Sequence, residues 1–163
     1  MMPYQLFHDV LPEIAERETR VLRLVRVAEA GPLEPRYSFL EMFCNEPGCD
    51  CRRVFFYVMS SDRQALETVI AWGWEPPAFY ARWIRDDDAA VIAEIKGPAL
   101  NRGSPHTSRA PVILSMVENI LLRDEAYVDR IKRHYALFRA EIDRRDKSSR
   151  VGTARGRNKR RKP

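Results

Sequence analysis

The 163-residue chain reads as an α+β protein, a four-stranded and mostly antiparallel sheet packed by C-terminal helices. Three observations predict this. The first half carries short apolar runs of strand length between turn residues, and the second half carries apolar residues at helical spacing. All three cysteines fall at the join between the second and third strand-like runs.

Pro12 to Arg17 suits a short helix, with Asp9 a candidate N-cap and acidic residues in the first turn. In Thr19 to Ala28 the residues Val21, Val25 and Val27 share one strand face while Leu22 and Leu24 take the other. Gly31-Pro32-Leu33-Glu34-Pro35 stops that strand, because proline cannot donate to a ladder. Tyr37 to Cys44 is a second strand, and Asn45-Glu46-Pro47-Gly48 a turn in which proline presets φ and glycine accepts a positive φ. Val54 to Met59 is apolar on both faces, as a central strand is. After the polar reversal Ser60-Ser61-Asp62-Arg63, a fourth strand runs from Leu66 to Trp74. The aromatic residues Tyr57, Trp72 and Trp74 read as core or interface residues.

Beyond Pro76-Pro77 the period changes. Phe79, Trp83 and Ile84 fit a short helix, Asp87 to Ile95 adds another turn or two, and residues 97–107 are a loop by composition. Pro111 to Leu122 is helical, with Ser108 a candidate cap and Pro111 tolerated in the first turn. A last helix starts near Asp124 and carries Tyr127, Val128, Ile131, Tyr135, Phe138 and Ile142 on one stripe. Residues 1–146 thus form a single domain, and 147–163 a basic tail that is expected to be disordered.

Hydrophobic residues make up 45% of the chain, enough to fill a core. No apolar run approaches the roughly 18 residues of a membrane span. The segment Met1-Met2-Pro3-Tyr4 lacks the pattern of a signal peptide, so the expectation is a soluble, cytoplasmic protein. The net charge of +5 is unevenly spread. Lys147, Arg150, Arg155, Arg157, Lys159, Arg160, Arg161 and Lys162 face no acidic residue within the tail, leaving 20 basic against 23 acidic residues in the other 146. These positions can track the phosphates of RNA or DNA without sequence preference, can meet an acidic protein, or can simply solubilise the chain end. The tail has no aromatic platform for base stacking.

Cys44, Cys49 and Cys51 have C-x4-C-x-C spacing. The Pro-Gly reversal can bring Cys44 back toward Cys49, and residues two apart share a face of an extended segment. In a reducing compartment three converging thiols favour zinc, a soft-ligand tetrahedral ion. Inert buried thiols and a redox pair of Cys49 and Cys51, favoured by Arg52 and Arg53, are the other readings. The fourth ligand would be His134, His106 or His8. At about 100° per residue His134 falls at about −20° from Tyr127, on the inner edge of the apolar stripe, which makes it first choice. A histidine so placed can also be a satisfied core residue.

The run Phe43-Cys44-Asn45-Glu46-Pro47-Gly48-Cys49-Asp50-Cys51-Arg52-Arg53-Val54 resembles an uncharacterised bacterial family related to the zinc-chelating SEC-C motif proteins. Glu18-Thr19-Arg20, Gly73-Trp74-Glu75 with Phe79-Tyr80 and Trp83, and Arg133-His134-Tyr135 with Phe138 are similar to it too. Members of that family often end in a cysteine-rich zinc tail, whereas here Val151 to Arg160 contains no cysteine. The resemblance implies a zinc-associated module of unknown role and supplies no catalytic residues.

No G-x-S-x-G, P-loop, dinucleotide fingerprint or H-E-x-x-H occurs. Asp86-Asp87-Asp88 reads as a solvated acidic loop, since consecutive side chains diverge. The sequence therefore points to a small zinc-binding adaptor or interaction module. The alternative is a thiol-dependent or zinc-dependent enzyme using Cys44, Cys49 and Cys51, with Glu41 and Glu46 the nearest acids.

Overall fold

A computed structural model describes residues 3–23 and 35–159, with side chains through Arg150. The fold is α+β, and its sheet has six strands where the sequence pattern predicts four. The additions are β1 (Tyr4–Leu6) and β6 (Ala99–Leu100), each too short to show a period of two. The predicted strands correspond to β2 (Arg20–Arg23), β3 (Arg36–Cys44), β4 (Arg53–Ser60) and β5 (Ala65–Gly73). The predicted continuation of β2 through residues 24–28, and most of the Gly31–Pro35 loop, lie outside the described residues.

All pairings are antiparallel. β1 and β2 share one edge of β3: Tyr4 pairs with Cys44 and Arg20 with Phe39. The order then runs β3, β4, β5, β6. Alternation in β3 sends Tyr37, Phe39, Glu41 and Phe43 inward, and a carboxylate among three buried aromatics needs a partner from the facing layer.

That layer is helical. Between β1 and β2 lie α1 (Phe7–Val10) and α2 (Pro12–Glu18). The N-cap of α2 is Leu11, with no side-chain cap bond, and Asp9 falls within α1. After β5 come α3 (Pro77–Ile84) and α4 (Ala89–Lys96). Asp88 caps α4 by accepting from the Ala90 and Val91 amides, which explains one of the three exposed aspartates. α5 (Ala110–Asn119) follows Arg109, so Ser108 is not its cap, and a 3-10 turn at Leu121–Arg123 leads to α6 (Glu125–Lys159). The Tyr127 amide donates to Asp124 Oδ1 at 3.1 Å, marking the start of α6 where the sequence places it.

α6 lays Tyr127, Ile131, Tyr135, Phe138 and Ile142 over Phe39, Phe43, Phe56 and Ile70 in the main core, which α5 and Phe7 complete. The other sheet face carries only a small cluster of Phe55, Val69 and Ala71. The backbone of α6 does not stop at Asp146, where the apolar stripe ends, but continues to Lys159. Arg and Lys are good helix formers, and an Asp146–Arg150 ion pair at 2.9 Å supports the first added turn. No helix among the described residues is long and apolar enough to cross a membrane.

Candidate metal centre

Cys44 ends β3, and the loop from there to β4 carries Cys49 and Cys51. Gly48 takes φ 73° and the Cys49 amide donates to the Glu46 carbonyl at 3.2 Å, so the Pro-Gly turn reverses the chain as its residues require. Arg52 has φ 48°, a left-handed conformation unfavourable for a long side chain, and it turns the backbone between Cys51 and β4. Two tyrosine hydroxyls hold it there: Tyr80 donates to the Arg52 carbonyl at 2.9 Å, and the Arg52 amide donates to Tyr135 at 3.4 Å. Its guanidinium binds both Asp50 oxygens at 2.9 Å, and Glu75 at 3.0 Å, while lying over the Phe79 ring.

Within this frame the ligand atoms of Cys44, Cys49 and Cys51 all lie within 4.8 Å of one another. Cys44 and Cys51 are buried and Cys49 is half-buried. Hydrogen bonding from Cys51 draws the Cys44 thiol down to about 6 against the effect of burial, and the Arg139 charge adds to the shift. Cys51 is pushed up by that same hydrogen bond and by burial; Cys49 is pushed up by burial first and then by Cys44. These opposed shifts come from hydrogen bonding among the three sulfurs, which lie close enough to share one divalent cation. Burial pushes Tyr4 beside them up to about 12, the cysteines adding to the effect and Arg53 opposing it.

The donor set fits zinc. Zinc–sulfur bonds of about 2.3 Å place sulfurs roughly 3.8 Å apart around a tetrahedral ion, so sulfurs already this close need only draw in slightly.

α6 clamps the loop, though not through a histidine ligand. Arg139 donates to the Cys44 carbonyl at 2.8 Å and to Asp143 at 2.9 Å, Asp143 accepts from the Gly48 amide at 3.3 Å, and the Tyr135 hydroxyl donates to the Cys49 carbonyl at 3.5 Å. Tyr135, Arg139 and Asp143 are spaced by four, so they form a row on the helix. That spacing is visible in the sequence, but the apolar stripe absorbed Tyr135 and left the two charged residues unread.

The predicted fourth ligand is corrected by the geometry. His134 is buried as its position on the stripe requires, but its Nδ1 lies 2.7 Å from Glu41 Oε2 and its Nε2 lies 3.0 Å from Glu18 Oε2. A buried carboxylate on β3 captured the imidazole, an outcome that depends on which strand faces α6. His106 bonds Thr68 at 2.8 Å and the Asn101 carbonyl at 2.9 Å, and His8 bonds Thr19 at 3.2 Å. Among the described residues no histidine, aspartate or glutamate joins the three sulfurs. Glu41, the nearest predicted acid on β3, therefore serves His134. Its Oε1 and His8 Nδ1 are buried without protein partners, and both residues line a small cavity with Glu18 and His134.

In the tail Arg150 is exposed and paired to Asp146. Arg155, Arg157 and Lys159 lie on the backbone of α6, and Arg160, Arg161 and Lys162 lie outside the described residues.

Fold and site together define an α+β protein with a three-cysteine cluster at a strand-to-strand turn. No protein-family model, no curated protein and no solved structure matches the chain.

Proposed function

We propose that the protein is a small zinc-binding adaptor or interaction module in which the metal braces the β3–β4 turn. The observation that carries this reading is the convergence of Cys44, Cys49 and Cys51 within 4.8 Å at a loop that α6 clamps. Soft thiolates in that number select zinc over oxygen-ligand cations, and binding free energy at such a site appears as folding free energy. The likeness of the Phe43–Val54 run to proteins related to the zinc-chelating SEC-C motif supports the same metal. The basic end of the chain, carried on a helical backbone as far as Lys159, supports nonspecific contact with RNA or DNA as a second element of the same role.

Metal analysis of the full chain purified without a polyhistidine tag tests the reading. About one zinc per chain, lost in Cys49→Ser together with thermal stability, is the expected result. Metal-free native protein whose stability is unaffected by added zinc would reject it.

A further inference from the structure

Among the described residues the cysteine trio is one donor short of a closed structural site. Structural zinc takes four protein ligands, and sites with three keep a position open to another molecule. The chain has three cysteines and three histidines, all of them among the described residues. The histidines are spent elsewhere: His134 between two carboxylates, His106 between Thr68 and Asn101, and His8 on Thr19. Of the carboxylates at the turn, Asp50 is engaged by the Arg52 fork and Asp143 by Arg139 and the Gly48 amide, and Glu46 is exposed and does not join the three sulfurs.

Exposure gives the trio a direction. Cys44 and Cys51 are buried and Cys49 is half-buried, so Cys49 is the member of the trio that solvent reaches. A cleft of about 300 Å³ adjoins this loop, lined by Arg52, Trp74, Glu75, Lys132 and Tyr135. Tyr135 is its link to the cluster, through the bond to the Cys49 carbonyl. The cleft wall is aromatic, with Trp74 and Tyr135 meeting edge to face at 5.0 Å, while Arg52 is paired to Asp50 and Glu75 and Lys132 to Asp129. Such a lining suits the peptide-like remainder of an incoming ligand. Three thiolates select a soft fourth donor, and Arg139, bonded to the Cys44 carbonyl, offsets part of the negative charge that a further anionic sulfur brings.

Resting on the zinc reading, we infer that the fourth coordination position takes a thiolate from outside the chain. On binding, the S–H bond of the incoming thiol breaks, its proton leaves to solvent and the sulfur donates an electron pair to the metal. Nothing is oxidised or reduced. The sulfur comes either from a small thiol or from a cysteine of a partner protein, so the metal itself is the docking point of the module.

The full chain loaded with Co²⁺ in thiol-free buffer tests this, titrated separately with 2-mercaptoethanol and with glutathione. The sulfur-to-metal charge-transfer band should rise about 1.3-fold as three thiolates become four, and fall back when the thiol is removed. Glutathione saturating well below 2-mercaptoethanol assigns the position to a small peptide-like thiol; equal and weak binding of both assigns it to a partner's cysteine. A band that neither thiol changes overturns the inference and leaves the metal site standing. A native chain that binds neither Co²⁺ nor Zn²⁺ overturns the zinc reading and this inference with it. Asp50→Asn, at an exposed position, should leave the starting band and its response unchanged. A thiol response that appears or grows only in that variant would make Asp50 the internal fourth ligand and also overturn the inference.

Discussion

His134 and Glu41 meet at 2.7 Å across the interface between α6 and β3, both nearly sealed from solvent. Glu18, at the C-terminal end of α2, closes on the other ring nitrogen at 3.0 Å, and Phe7 stacks on the ring with centroids 4.5 Å apart. The imidazole bridges the two carboxylates and ties three elements together. The tie is specific because each element brings a different group, and it removes the imidazole from the metal centre.

Replacing His134 separates these roles. His134→Gln removes the imidazole that bridges the buried Glu41 to Glu18 and should cost about 2 kcal/mol in urea unfolding. Zinc content of the folded fraction should stay at the native stoichiometry. A variant of native stability that has lost its metal would return His134 to the ligand set.

Arg139 should couple the helix to the cysteine loop. Arg139→Met keeps much of the apolar stem but removes the bonds to the Cys44 carbonyl and Asp143, for an expected loss of about 2 kcal/mol. Removal of its charge beside Cys44 should also weaken zinc binding, read by competition with a chromophoric chelator. Unchanged affinity would show that the clamp acts on the backbone alone.

Gly73 ends β5 against the ring that braces Arg52. A Cβ there would overlap the Tyr80 hydroxyl and its Cζ, inside any tolerable contact. Gly73→Ala should therefore destabilise by about 2 kcal/mol or more, through displacement of Tyr80 and loss of its bond to the Arg52 carbonyl. Thermal denaturation at fixed zinc measures it, and a silent substitution would mean that Tyr80 moves freely.

Acid should unfold the metal-free protein in a defined window. Arg109 holds the Asp62 carboxyl down at about 2, and Glu18 is lowered by hydrogen bonding to Arg133 and then to His134. Carboxylates depressed in the folded state contribute stability that is fully present above their unfolded pKa of about 4, and lose it as pH falls through the folded value. Stability measured in a chelator should thus be flat on these groups' account above about pH 5 and fall between about pH 4 and 2, less steeply in Arg109→Gln. An identical acid limb in that variant would remove the Asp62 pair from the explanation.

Truncation after Asp146 removes the eight basic residues beyond the stripe that docks α6. Filter binding to mixed-sequence RNA and DNA should lose both its affinity and its salt slope, with the thermal midpoint of the body retained. Full retention of salt-sensitive binding would move the contact to the folded body.

Much of the site was legible in the residues themselves. Proline before glycine between Cys44 and Cys49 requires a reversal, and a reversal there brings sulfurs together whatever the rest of the chain does. The inward position of His134 followed from its angle relative to Tyr127, but its partner did not. Periodicity states which way a side chain points and is silent on which element it meets. For the same reason β1 and β6 went unseen: two or three residues carry no period, and they are strands only because β3 and β5 offer them an edge.

Local chemistry in the sequence thus set the longer strands and the helices, the turn and the gathering of three thiols, because each depends on neighbours within a few residues. Tertiary structure alone decided that Glu41 and Glu18 would claim the histidine, that Tyr80 and Tyr135 would hold Arg52 in a left-handed turn, and that Arg139 and Asp143 would fasten α6 to the loop. Those pairings join residues dozens of positions apart, and burial of one helix face against one sheet face selects them.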